Sequence, residues 1–166
     1  MSRAFVKEGD GDDAVLPERR VSPHPNFVTA SGLAQIDSQV RSLEAARLAA
    51  REAARDVAQG AHDAAALATI ERDLRYWTRR KATARLIVPA AEPDVVRFGT
   101  TVTLRAADGT ERRLRIVGED EADPARGLVS WVSPVAEELL GAAAGEEVEI
   151  GGLRYEVTRL AGEPVT

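Results

Sequence analysis

The chain contains no cysteine among its 166 residues. Disulfide bridges, a thiol nucleophile and a cysteine-ligated zinc site are therefore excluded. Aromatic side chains are also scarce, with three Phe, two Tyr and two Trp. Because aromatic residues supply much of the bulk of a large core, this scarcity favours one modest core together with an element built from small side chains.

Basic charge is not in excess, and long apolar runs are absent. The net charge is −5, whereas a protein that coats duplex nucleic acid needs clustered Lys and Arg in excess. We therefore expect any nucleic-acid contact to be indirect. A run of about 20 apolar residues and a secretory leader pattern are both missing, so we expect no membrane association and a cytoplasmic location.

Residues 1–28 combine charges, glycine and proline without a helical or strand-like apolar period. Such a composition is typical of a chain that cannot bury enough apolar surface to fold. The pattern predicts a disordered tail. An alternative is that Arg19, Arg20 and the SPHP segment, Ser22–Pro25, form a docking motif.

From residue 29 to residue 88, apolar residues recur at alternating spacings of three and four. This heptad pattern is typical of helices that bury one apolar stripe against a partner. A break around Gly60 divides the pattern in two, and Thr29 or Ser31 is placed to cap the first helix. We predict an antiparallel coiled-coil hairpin over residues 29–88. Its seam positions are Leu33, Ile36, Val40, Leu43, Ala50, Ala54 and Val57, then Leu67, Ile70, Leu74, Trp77, Ala84 and Val88.

After a linker at residues 89–95, the apolar period changes to two. Two alternating runs flank the turn pair Asp108-Gly109, and further runs of this kind follow, which predicts strands. Ser133 and Pro134 are placed to cap and open a short helix. The fold class is therefore α+β. The hairpin is followed by an antiparallel β domain at residues 96–166, and this domain carries one short helix.

Residues 116–150, with the sequence IVGEDEADPARGLVSWVSPVAEELLGAAAGEEVEI, resemble the C-terminal domain of the bacterial Gre transcript elongation factors. The preceding FGTTVTL fits the same domain, and DLRYWTRRKATARLIV resembles the end of the second coiled-coil helix in that family. The resemblance covers about residues 29–160. It implies that the β domain is FKBP-like, that the partner is bacterial RNA polymerase, and that the coiled coil enters the polymerase's secondary channel.

The resemblance also implies a chemistry at the tip of the hairpin. In the family, two acidic residues there help to hold a catalytic Mg²⁺ in the polymerase active site, and the polymerase then cleaves backtracked RNA. The chemistry belongs to the polymerase, so the resemblance implies that this chain is not an enzyme and carries no cofactor of its own. Mg²⁺ prefers oxygen ligands and keeps water positions open, so a carboxylate from outside can complete its shell.

The tip of this chain departs from the family pattern D-L-S-E-N-A-E-Y. Residues 56–63 read DVAQGAHD, so Asp56 matches the first acid and Gln59 replaces the second. An amide lacks the negative charge of a carboxylate. Asp63 is a second candidate ligand that would share the polymerase Mg²⁺ with Asp56; the alternative is that it caps the second helix and that the tip does not support cleavage.

The resemblance assigns polymerase contacts to five residues of the β domain. Asp123 followed by proline also fits a turn, and Ser133 also fits a helix cap, so both roles are compatible. The predicted contacts are Asp120, Glu121, Asp123, Ser133 and Pro134. A basic outer face is expected on the second helix, either solvated or turned towards an acidic channel. Its members are Arg72, Arg75, Arg79, Arg80, Lys81 and Arg85.

Three functions follow from these observations. The first is a polymerase-binding regulator of elongation whose coiled coil enters the secondary channel. The second is a Gre-like competitor for the channel that does not stimulate cleavage. The third, a peptidyl-prolyl isomerase, is suggested only by the expected FKBP-like fold, and the scarcity of aromatic residues leaves it without an evident proline pocket. We expect the free protein to be a monomer.

Overall fold

Two long helices and a β-rich domain make up the described part of the chain. The computed structural model describes residues 16–53 and 60–162, except for the side chains of residues 60–63. The helices are α1 (Ala30–Ala53), α2 (Gly60–Thr83) and α3 (Pro134–Leu139). The strands are β1 (Phe27–Val28), β2 (Arg85–Leu86), β3 (Thr101–Ala106), β4 (Glu111–Val117), β5 (Leu128–Ser130), β6 (Glu147–Ile150) and β7 (Leu153–Ala161). The predicted α+β fold is confirmed.

Helices α1 and α2 form an antiparallel hairpin. Asp37 in α1 pairs with Lys81 in α2 at 2.8 Å. Further along α1, Arg51 pairs with Glu71 at 2.6 Å, earlier in α2. Since residue numbers rise in one helix as they fall in the other, the two helices run in opposite directions.

The predicted heptad seam forms the apolar face of this hairpin. Its most buried members are Ile36, Val40 and Leu74. Ala54 and Val57 lie outside the described residues. Within the described part of the chain, every helix is too short or too polar to cross a membrane.

Thr29 is the residue that caps α1. Its Oγ1 accepts a hydrogen bond from the backbone N–H of Gly32 at 3.0 Å, as expected for the residue before a helix. The hydroxyl of Ser31, the other candidate cap, donates instead to a carboxylate of the β domain.

Helix α2 ends at Thr83, so the prediction that the helix continues to Val88 is wrong. The backbone N–H of Arg85 donates to the carbonyl of Asn26 at 2.8 Å, and β2 pairs in parallel with β1. A backbone that is hydrogen-bonded to a neighbouring strand cannot also continue the i to i−4 pattern of a helix. Val88 is 56% exposed rather than part of the seam.

The described part of the predicted disordered tail is ordered against the rest of the molecule. Asn26 is buried, and Arg19 stacks 3.8 Å from the centre of the Tyr76 ring. The prediction is therefore wrong for residues 16–28, while residues 1–15 lie outside the description. Proline fixes φ near the extended region, so the prolines here are consistent with an extended, docked segment.

The main sheet has the strand order β5-β4-β3-β7-β6. Its pairs are antiparallel except that β5 lies parallel to β4, so the prediction of a wholly antiparallel sheet is wrong at this edge. The chain between β4 and β5 makes two short 3-10 turns, Glu119–Glu121 and Pro124–Arg126, instead of a hairpin. Helix α3 packs its buried Ala136 and Leu139 into the core of the domain.

A substitution in the hairpin seam tests this packing. Ile36 is 1% exposed, so we expect Ile36→Ala to lower the free energy of unfolding by about 2–5 kcal/mol, through lost burial and an unfilled cavity. Leu48→Ala in the same helix is the control. Leu48 is 62% exposed, so its loss is expected to cost less than about 0.5 kcal/mol. Urea unfolding of both variants measures the difference, and equal costs would show that the seam is not the hairpin's core.

Candidate functional site

The predicted tip ligands are not both within the described residues. Asp56 and Gln59 lie outside them, and for Asp63 only the backbone is described, in the first turn of α2. Among the side chains that the structure describes, no three acidic or histidine residues converge as a metal site would require. The tip's role as a supplier of Mg²⁺ ligands therefore stays a prediction.

Asp120, predicted as a partner contact, instead turns towards the hairpin. Its carboxylate accepts a hydrogen bond from the Tyr76 hydroxyl at 2.5 Å and another from Nε of Arg80. The Arg80 side chain is only 2% exposed, so its placement on a solvated basic face is wrong. A buried guanidinium needs a paired anion; Asp120 is the closest one, and the Glu119 carboxylate lies 4.0 Å away.

Glu121 also points into the base of the hairpin. The Thr29 hydroxyl shares its one proton between the two carboxylate oxygens, at 2.6 and 2.8 Å, and the Ser31 hydroxyl donates to one of them at 2.7 Å. Gly32 lies against it so closely that a Cβ there would come within 2.6 Å of Oε2. Glycine at this position thus allows the carboxylate to reach the start of α1.

These groups form one structural unit, which we call the clamp. It consists of Thr29, Ser31, Tyr76, Arg80, Asp120 and Glu121. The two carboxylates come from one short 3-10 turn of the β domain, and their partners come from both helices of the hairpin. The clamp therefore joins the base of both helices to the β domain through charge-assisted hydrogen bonds.

The environment of Tyr76 perturbs its ionisation. Burial, followed by the hydrogen bond to the Asp120 carboxylate, raises the pKa of the Tyr76 phenol to about 12. The phenol stays protonated, and so remains a donor to Asp120, well beyond neutral pH.

The other predicted contacts act locally as caps. Asp123 accepts from the backbone N–H of Ala125 at 3.2 Å, and Ser133 accepts from that of Ala136 at 3.2 Å. Pro134 is the first residue of α3, as predicted, and is exposed. Asp123 and Ser133 are partly exposed, so these three residues leave surface free for a partner.

Most of the predicted basic face on α2 is paired within the molecule. Arg72 pairs with Asp73, Arg75 with Glu18, and Lys81 with Asp37. Arg79 and Arg85 are exposed. Asp73 is adjacent to Arg72, whereas the partners of Arg75, Arg80 and Lys81 lie far away along the chain, and spacing alone does not show those pairs.

Comparison with known proteins places the chain in a family. Residues 90–159 match the family model described as transcription elongation factor, GreA/GreB, C-terminal. The transcription elongation factor GreB of Pasteurella multocida is 31% identical over 143 residues, which cover 75% of this chain and 86% of that protein. The chain belongs to the GreA/GreB family. The resemblance seen in the sequence is confirmed.

Other relatives of this GreA/GreB-family chain match it over a shorter stretch. GreB of Neisseria meningitidis serogroup A is 42% identical over 81 residues, 48% of this chain and 50% of that protein. The chain thus spans about half the length of several curated relatives that it matches. The crystal structure of GreA factor homolog 1 (Gfh1) of Thermus thermophilus covers 84% of this chain and 100% of its own, with 17% identity and a TM-score of 0.40. Family membership rests on the sequence relatives.

The GreA/GreB model covers only one side of the clamp. Asp120 and Glu121 fall within residues 90–159, whereas Thr29, Tyr76 and Arg80 lie in the hairpin before them. The family match alone therefore does not account for how this chain joins its two parts.

Removal of the Asp120 carboxylate tests the clamp. Asp120→Ala leaves the guanidinium of Arg80 buried without its closest anion, and we expect the free energy of unfolding to fall by about 3–5 kcal/mol. Glu138→Ala, which removes an exposed carboxylate on α3, is the control and is expected to change stability by less than about 0.5 kcal/mol. A loss below about 1 kcal/mol for Asp120→Ala, measured by urea unfolding, would contradict the role assigned to the carboxylate.

The raised pKa of Tyr76 predicts a change of stability with pH. In the folded protein the phenol titrates near 12, above its ordinary value of 10.0, so folding favours the protonated form. The contribution is full below about pH 10 and is lost as the pH rises through about 12. The stability difference between the wild type and Tyr76→Phe should therefore shrink over that range in denaturant titrations. A difference that does not change with pH would show that the phenol does not titrate as described.

Proposed function

We propose that this chain binds bacterial RNA polymerase and regulates transcript elongation, with its hairpin inserted in the polymerase's secondary channel. Membership of the GreA/GreB family supports the choice of partner. The observation that carries the proposal is the hairpin itself. Each helix has 24 residues and so extends roughly 36 Å at 1.5 Å per residue. In this function the chain is not an enzyme, since it acts through the polymerase.

Among the described residues, the β domain holds the hairpin near its base, which supports a role as a projecting probe. Its side-chain hydrogen bonds to the β domain come from the cap Thr29, from Ser31 and Gln35 in α1, and from Tyr76 and Arg80 in α2. The remainder of each helix packs within the hairpin and exposes polar side chains. A narrow element of this kind fits a channel of a larger partner better than it fits a flat surface.

The β domain would dock on the outside of the polymerase. We assign direct contacts to Asp123, Ser133 and Pro134, because their side chains are at least partly exposed. Asp120 and Glu121 would support binding indirectly, because their carboxylates hold the hairpin.

One feature of the sequence favours the second function, competition for the channel without stimulation of cleavage. Gln59 stands where the family pattern has an acid, so Asp56 would have to work with Asp63 to hold the polymerase Mg²⁺. The isomerase function is not favoured. The rings of Trp131 and Phe98 in the β domain both pack against Phe27, with centres 5.0 and 5.8 Å from its ring, so these aromatic side chains are engaged within the molecule.

Binding and cleavage assays test the proposal together. We expect the wild type to be retained by immobilised bacterial core polymerase and to displace a cleavage-competent Gre factor. Cleavage of stalled complexes is expected to be weak, because an amide replaces one acid of the tip. Asp56→Ala and Asp63→Ala should bind as the wild type does, with Asp94→Ala in the linker as the control.

The outcomes separate the two functions. Failure to bind core polymerase would refute both. Strong cleavage that is lost in Asp56→Ala or Asp63→Ala, but not in Asp94→Ala, would establish a cleavage-stimulating regulator and refute the competitor. Equal activity in all four proteins would remove both tip acids from the mechanism.

A further inference from the structure

The segment before the hairpin has a role that the family match leaves unassigned. The family model begins at residue 90, and the likeness seen in the sequence begins near residue 29. Residues 18–28 nevertheless contact three separate parts of the molecule. We call this segment the strap.

The first contact of the strap is with the outer face of α2. Glu18 pairs with Arg75 at 2.5 Å, and this hydrogen bond holds the pKa of Glu18 below its ordinary value. The guanidinium of Arg19 lies 3.8 Å from the centre of the Tyr76 ring and 3.8 Å from Asp73. Stacking on an aromatic ring fixes the orientation of a planar guanidinium, and the charge of the guanidinium adds to the attraction.

The second contact is with the end of α2. The side-chain amide of the buried Asn26 donates to the backbone carbonyl of Arg80 at 2.7 Å and to the hydroxyl of Thr83 at 3.2 Å. Carbonyls in the last turn of a helix lack partners within the helix, so Asn26 satisfies one of them. Directly afterwards, β1 pairs with β2.

The third contact is with the β domain. The ring of Phe27 packs 5.0 Å from that of Trp131, and His24 approaches the same indole edge-on at 6.1 Å. The backbone of Phe27 lies so close to Gly118 that a Cβ on Gly118 would come within 2.6 Å of its carbonyl oxygen. Such a close backbone approach is specific to glycine and shows a fitted contact.

Together these contacts place the strap across the junction of the two parts of the molecule. From these contacts we infer that the strap fixes the direction in which the hairpin projects from the β domain. Its residues act as positioning residues for the proposed insertion of the hairpin into the polymerase, so this inference rests on the proposed function. The clamp joins the two parts at one place, and the strap adds ties on the outer face of α2 and on Trp131.

The length of the hairpin makes its direction important. For an element about 36 Å long, a rotation of about 10° at the base moves the tip by roughly 6 Å. A shift of that size is large compared with the few ångströms within which a carboxylate can coordinate a metal ion. Relative motion of two domains is the default unless the interface between them is extensive, and the strap extends that interface.

Distance measurements between two spin labels test the strap in the free protein. The chain has no cysteine, so Leu48→Cys in the hairpin and Leu153→Cys in the β domain introduce unique labels at sites that are 62% and 63% exposed. With an intact strap we expect one narrow distance distribution. In Glu18→Ala/Arg19→Ala, and separately in Phe27→Ala, we expect the distribution to widen by about twofold. Arg20→Ala is the matched control, since Arg20 is adjacent and exposed, and we expect it to have no effect.

The results separate this inference from the proposed function. Unchanged widths in both strap variants would overturn the positioning role, whatever happens with polymerase. The Glu18 and Arg19 substitutions change only exposed side chains, so this variant keeps the test valid if Phe27→Ala does not fold, as judged by circular dichroism. Phe27→Tyr, which keeps an aromatic ring, should restore the narrow distribution. If the strap only stabilised the fold, its substitutions would lower the unfolding midpoint without widening the distance distribution. That result would also refute the inference.

Discussion

The structure depends on one pair of neighbouring carboxylates that cross from the β domain into the base of the hairpin. Asp120 pairs with the buried Arg80, and Glu121 accepts hydrogen bonds from the start of α1. A buried charge needs an opposite charge or hydrogen-bond donors, so each side of this contact needs the other. The clamp thereby joins the hairpin and the β domain at their junction.

This constraint changes how the surface of the β domain is understood. Residues that the family resemblance marks as partner contacts fall into two groups, one used inside the molecule and one at least partly exposed. Asp120 and Glu121 belong to the first group, whereas Asp123, Ser133 and Pro134 belong to the second. A loop can thus hold the hairpin with one part and present a docking face with the next. The strap adds a further tie at the same junction, through Tyr76 on α2 and Trp131 in the β domain.

Much of the local structure could be predicted because its causes lie close together in the sequence. The heptad spacing of Ile36 and Val40 predicted the buried face of α1, and Ser133 followed by Pro134 predicted the start of α3. The errors came where a distant segment competes with a local preference. Helix α2 ends at Thr83 because the residues that follow pair with β1. The proline-rich segment is ordered because its side chains pack against Tyr76 and Trp131.

The sequence by itself determined the helical hairpin, the strand pattern of the β domain and the family, since periodicity, turn residues and motif order are properties of neighbouring positions. It also determined that Gln59 replaces an acid in the tip pattern. Only the tertiary structure decided that Asp120 and Glu121 face inward, that Arg80 is buried and that residues 18–28 bind across the junction. The physical reason is that the sequence does not show whether a charged side chain is solvated by water or paired with a distant residue. Only the fold brings that partner within hydrogen-bonding distance.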